Sequence, residues 1–144
     1  AQRGLRTMAI RLRQHQQNSL EIAEWLRNRD EVRRVLHPAL PDAPGHDIWK
    51  RDFLGASGLF GVELKTFAKK AVEKMVDEMR LFGIGSSWGG YESLMLPVNV
   101  RDLRTASPWR FEGPLLRLYI GLEDVDDLKD DLSDGLERLR NFKG

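Results

Sequence analysis

The sequence predicts an α/β fold, a sandwich in which helices pack on a short, mostly buried sheet. Three observations carry this. Short apolar runs bounded by Gly and Pro alternate with longer segments whose apolar residues recur every three or four positions. At 144 residues the chain has room for one domain with one core. Its composition, 41% hydrophobic and 31% charged, is that of a folded globular protein and not of a disordered tail.

Leu5, Met8, Leu12, His15, Ser19, Ile22 and Leu26 keep helical spacing, which predicts one long amphipathic helix over 5–28. It stops near Asn28, Arg29 and Asp30, and a short strand follows over 32–36. Pro38, Pro41, Pro44 and Gly45 make 37–47 a loop, followed by a helical turn at 48–51. A strand over 59–64 follows Gly58. Phe67, Ala68, Ala71, Met75 and Met79 then predict a second helix over 65–80, ended by Gly83. Extended pieces at 84–87 and 92–95 flank Gly89 and Gly90. The last strand runs over 115–120 and the last helix over 124–140, with Val125, Leu128, Leu132, Leu136 and Leu139 as its apolar stripe. Asp124, Asp126 and Asp127 crowd its first turn, where carboxylates favour the helix dipole. No internal repeat or low-complexity segment interrupts this pattern.

Several function classes are excluded or disfavoured. Without cysteine there is no disulfide framework and no thiolate chemistry. Twenty-three basic residues nearly cancel 22 acidic ones, which argues against nucleic-acid binding. The balance is uneven, however: residues 1–36 are net basic and residues 121–144 net acidic. Either two solvated helix faces differ in sign, or the two ends of the chain lie together or face opposite partners. No apolar run approaches the roughly 20 residues of a membrane span. The first residues lack an initiator Met and a signal-peptide core, so the chain is expected to begin inside a longer, cytoplasmic protein.

Two motifs tempt and fail. Gly85-Ser86-Ser87-Trp88-Gly89 matches the nucleophile elbow of serine hydrolases, but that elbow needs a following helix and a later histidine. His15, His37 and His46 all precede Ser87. Gly83-Ile84-Gly85 begins like a dinucleotide loop, yet Trp88 stands where the third glycine belongs. His37 and His46 lack the spacing of a zinc site and read as solvated loop residues, so no metal is expected.

Arg117 is the residue that stands out physically. It lies inside Leu115-Leu116-Arg117-Leu118-Tyr119-Ile120, an apolar strand without an acid. A guanidinium there stays charged and needs a carboxylate, from the protein or from a ligand. Gly85, Gly89 and Gly90 around Ser87 and Trp88 mark either turn geometry or backbone that approaches a ligand closely.

In order and spacing these segments resemble the C-terminal part of the transsulfuration (Cys/Met metabolism) enzymes that use pyridoxal 5'-phosphate. The resemblance runs from Arg3-Gly4-Leu5-Arg6-Thr7 to the last helix. It takes in His15 and Asn18, Val35-Leu36-His37-Pro38, Ser57-Gly58-Leu59-Phe60, Glu92-Ser93-Leu94 and Ile120-Gly121-Leu122-Glu123-Asp124. Ser87-Trp88-Gly89-Gly90, with no Met-Thr-His stretch after Glu92-Ser93-Leu94, is most similar to the bacterial cystathionine β-lyase branch. The γ-synthases and γ-lyases usually carry Leu in place of Trp88. Ser86 departs from relatives, which often carry a larger side chain there.

The resemblance implies the small C-terminal domain of the aspartate-aminotransferase-like fold (fold type I), with helices on a mostly antiparallel, mixed sheet. Residues 1–30 would form a long linking helix and 31–144 the α/β domain. It implies that Arg117 binds a substrate α-carboxylate, that Ser87 and Trp88 lie beside substrate and cofactor, and that the Ser87 hydroxyl helps orient the catalytic lysine. The reaction would be α,β-elimination of cystathionine to homocysteine, pyruvate and ammonia, a step toward methionine. A γ-synthase or γ-lyase relative, or a non-catalytic binding module of the same fold, is the alternative. The family's Schiff-base lysine sits in a Ser-x-x-Lys-type segment, and none of lysines 50, 65, 69, 70, 74, 129 and 143 has that context. The cofactor domain is therefore expected upstream, this piece alone is expected to be inactive, and the parent enzyme is expected to be a homotetramer.

Overall fold

The computed structural model describes residues 2–100, 103, 105–106 and 112–143. In chain order the elements are α1 (Gln2–Leu26), β1 (Val32–Leu36), α2 (His46–Asp52), β2 (Leu59–Leu64), α3 (Lys69–Asp77), β3 (Gly83–Ile84), β4 (Leu94–Val98), β5 (Leu115–Tyr119) and α4 (Val125–Arg140). The strands form one sheet ordered β1-β2-β5-β4-β3. Its first three pairings are antiparallel, and β3 runs parallel to β4. This is the mixed α/β sheet the sequence implied. β5 is central, with Arg117 opposite Gly61 of β2 and Leu96 of β4.

Strand alternation sends Phe60, Val62, Leu64, Met95, Leu116 and Leu118 into the core. There they join Met75 and Val76 of α3, Leu128, Leu132, Leu136 and Leu139 of α4, and Ile22, Ala23 and Leu26 of α1. The other face is different: Leu59, Gly61, Leu94, Leu96, Leu115 and Arg117 are only partly buried. The expectation of a mostly buried sheet is thus corrected in part: α3, α4 and the end of α1 cover one face, while the other is fully buried only at Glu63 and at Tyr119, which His15 of α1 covers. The open face is the one that carries Arg117.

Only the second half of α1 is buried; Leu5, Met8 and Ile10 are exposed. α3 begins four residues later than its apolar spacing predicts. The Lys65 amide still donates to the Glu31 carbonyl (2.8 Å) as the chain leaves β2, and Ala68, extended, caps the helix. The pieces predicted at 84–87 and 92–95 are β3 and β4, the first displaced toward Gly83 and the second toward Val98. β4 tolerates Pro97 because β3 pairs only with Leu94 and Met95, so the missing N–H falls on an open edge.

At α4 the crowded acids have distinct roles. Asp124 is the N-cap, its carboxylate accepting from the Asp126 amide (2.9 Å) and the Asp127 amide (3.4 Å). The basic and acidic ends of the chain do lie together: Lys129 of α4 pairs with Glu21 of α1 (2.6 Å), and Arg140 pairs with Glu31. Each bridge uses the minority charge of its segment.

Asp131 is buried and accepts from the Arg80 amide (3.0 Å) and the Leu81 amide (2.8 Å), closing the turn after α3. Asp131→Ala removes a buried carboxylate from two turn amides and is expected to cost about 2 kcal/mol, read as a lower urea midpoint. Loss of only a few tenths would show that water replaces the carboxylate.

Candidate active site

Arg117 projects from the middle of β5 onto the open sheet face. Its Nη1 donates to the Ser87 carbonyl at 3.4 Å. Among the described residues, no carboxylate lies within ion-pair distance of it. The buried acids are engaged elsewhere: Glu63 by Arg33 and Arg34, Glu31 by Arg140, and Asp131 by Arg80. Among the described residues, then, neither a buried nor a surface acid partners Arg117.

The structure brings two of the sequence-selected residues together, Arg117 and Ser87, and sets Trp88 next to them. Trp88 is 69% exposed. It borders a cleft of about 250 Å³ with Arg11, Leu12, His15, Gly89 and Tyr119. No helix follows Ser87, so the hydrolase elbow is absent in fact as well as in expectation. Gly89 has φ +81, a left-handed turn that a side chain would strain. Turn geometry therefore accounts for this glycine.

Four polar residues that sequence reasoning left without a role hold this region. The Tyr119 hydroxyl donates to the Gly90 carbonyl (2.9 Å) and lies 2.9 Å from His15 Nε2. Burial raises the Tyr119 phenol above its ordinary range, while the Gly89 backbone and Arg11 work the other way. Ser93 donates its amide and its hydroxyl to the Glu123 carboxylate, each at 2.7 Å, and its oxygen accepts from the Gly121 amide (2.8 Å). The signal available in the sequence was only the repeated appearance of His15 and Ser19 on an otherwise apolar stripe.

His37 is not the solvated loop residue expected from its prolines. It is 1% exposed, its Nδ1 accepts from the Ala39 amide (3.2 Å), and its ring packs tilted against Phe60. Burial lowers its pKa to about 4 from 6.5. The unfolded chain therefore binds a proton that the folded one refuses. Stability is fully present above about pH 6.5 and is lost as pH falls toward 4. Urea midpoints measured at pH 7 and pH 5 should fall more steeply in the wild type than in His37→Gln; equal slopes would contradict this.

Among the described residues no group of His, Asp or Glu is arranged to hold a metal, and no helix is long and apolar enough to cross a membrane. Residues 1–137 match the family described as Cys/Met metabolism PLP-dependent enzyme. The chain belongs to that family. Cystathionine beta-lyase MetC of Escherichia coli is 50% identical over 141 residues, covering 95% of this chain and 36% of the relative. The L-alanine/L-glutamate racemase of Wolbachia pipientis is 43% identical over 141 residues, covering 96% and 35%. Among solved structures, cystathionine gamma synthase from Xanthomonas oryzae pv. oryzae in complex with cystathionine superposes with a TM-score of 0.83 at 37% identity, over 96% of this chain and 37% of that one. The chain thus spans little more than a third of the length of these Cys/Met family relatives. The family's cofactor is pyridoxal phosphate.

Proposed function

We propose that this chain is the C-terminal, substrate-carboxylate-binding part of a pyridoxal-phosphate-dependent carbon–sulfur lyase acting on cystathionine by α,β-elimination. The observation that carries the reading is Arg117: a cation on an open sheet face, with no acidic partner among the described residues and with Ser87 and Trp88 beside it. The 50% identity to a cystathionine beta-lyase supports the choice of reaction.

The residues present fit the amino-acid side of the cofactor and not its attachment point. A guanidinium without an acidic partner among the described residues, reaching the backbone of Ser87 next to Trp88, suits a substrate carboxylate. Lys69 pairs with Glu73 on α3, Lys74 with Glu78 just past its end, and Lys129 with Glu21 and Asp126. Pyridoxal phosphate, when bound, supplies the electron sink that makes the α-proton removable and the β-thiolate expellable.

Arg117 holds the substrate carboxylate in a two-pronged, charge-assisted bond and so fixes the rotation of the α-carbon. Ser87 presents its hydroxyl to the catalytic lysine, and Trp88 covers the substrate against water. The Schiff-base lysine lies outside this segment, which alone is inert. The family resemblance carries the reading of the parent as a cytoplasmic homotetramer; exposed Leu5, Met8 and Ile10 of α1 suit an interface with another part of the assembly, and light scattering of the full-length protein tests the tetramer.

Assay of the full-length protein with cystathionine should release pyruvate and homocysteine. The likeness to a γ-synthase keeps one other reading in play, and release of 2-oxobutanoate in place of pyruvate would establish it.

A further inference from the structure

We infer that Tyr119, braced by His15, is a positioning residue for the Ser87–Gly90 loop and ties that loop to the strand that carries Arg117. The inference rests on the proposed carboxylate site and deepens it. Tyr119 and Arg117 stand two residues apart on β5, the central strand, so a rigid element fixes their spacing. Arg117 reaches the start of the loop at the Ser87 carbonyl, 3.4 Å away, and Tyr119 its end at the Gly90 carbonyl, 2.9 Å away.

The phenol is itself held. His15 Nε2 lies 2.9 Å from the hydroxyl, and its Nδ1 lies 3.1 Å from the Ile120 carbonyl and 3.3 Å from that of Gly121. Tyr119 and His15 are each 1% exposed, so water does not compete for these bonds. Beyond Gly90 the chain is held again by the Leu122 amide on the Tyr91 carbonyl (2.8 Å), but between Ser87 and Gly90 the loop is little packed. Trp88 is largely exposed, and a side chain built at Gly89 or Gly90 would meet nothing within 4 Å. A loop anchored at so few points moves when one is lost, and binding geometry at Arg117 moves with it.

Tyr119→Phe in the full-length holoenzyme keeps the ring and removes the hydroxyl. The expected result is a KM for cystathionine about tenfold higher with kcat within about threefold. Cofactor absorbance should be unchanged. Amide hydrogen exchange across 86–92 should quicken about tenfold while that of Leu116 and Leu118 stays at the wild-type rate. Leu118→Val, on the opposite face of β5, controls for general destabilisation: it should lower Tm and leave both KM and loop exchange alone.

Wild-type KM and loop exchange in Tyr119→Phe would overturn the inference, as would the same changes in Leu118→Val. Arg117→Ala, assayed in parallel, separates the two readings. If it loses affinity and Tyr119→Phe does not, the positioning role falls and the carboxylate site stands. If Arg117→Ala binds like the wild type, the carboxylate site falls and the positioning role falls with it.

Discussion

Arg117→Ala in the full-length enzyme is expected to raise KM for cystathionine by about 100-fold, with the cofactor still bound. The magnitude follows from the environment. A guanidinium on a half-buried sheet face, opposite Gly61 and Leu96, is screened less than one in open water. Its bond to a carboxylate is doubled by the fork geometry. Arg117→Lys should recover only part of the loss, since an ammonium restores the charge without the second prong. Steady-state kinetics and the cofactor absorbance of the purified variants check both statements, and a variant that lost cofactor as well would place Arg117 in the structure and not in the site.

The second large effect is on the fold. Gly121 follows β5 where the chain passes under the end of the Ser87–Gly90 loop. A Cβ there would lie 2.2 Å from the Tyr91 carbonyl oxygen and 2.7 Å from the Glu92 carbonyl carbon, both backbone atoms. Neither can move alone. The Leu122 amide donates to that same Tyr91 carbonyl (2.8 Å), and the Gly121 amide donates to Ser93. Gly121→Ala is therefore expected to destabilise the protein by about 3 kcal/mol, lowering Tm by about 10 °C. Scanning calorimetry measures it, and a shift of a degree or two would mean that the turn relaxes at little cost.

The elements most legible in the sequence are those stabilised by their own residues. The stripe of α4 is a local signal and matches the structure, where Asp124 is the N-cap and not the first helical residue. β2 matches over its whole length, and β5 ends one residue short, at Tyr119. α3 and the β3–β4 pair were displaced because their ends are set by backbone partners far away in sequence: Glu31 for Lys65, and Ser93 for Gly83. Apolar spacing contains no trace of such bonds.

The candidate site divides along the same line. Arg117 was legible because a charge in an apolar strand is conspicuous wherever it occurs. Tyr119, His15, Ser93 and Glu123 were not, since their partners are distant or are backbone carbonyls and amides, which carry no residue signature. His37 misled for the opposite reason: its prolines mark a loop, but the ring turns inward onto Phe60 and Ser19.

The role of Arg117 is measured most directly by pairing it with the group it is said to hold. The wild-type full-length enzyme and Arg117→Ala are each compared on cystathionine and on its counterpart amidated at the carboxylate of the half that is cleaved. The wild type should prefer the carboxylate by about 100-fold in kcat/KM and the variant should show almost no preference. Equal discrimination by both enzymes would contradict the assignment and place the carboxylate on another residue.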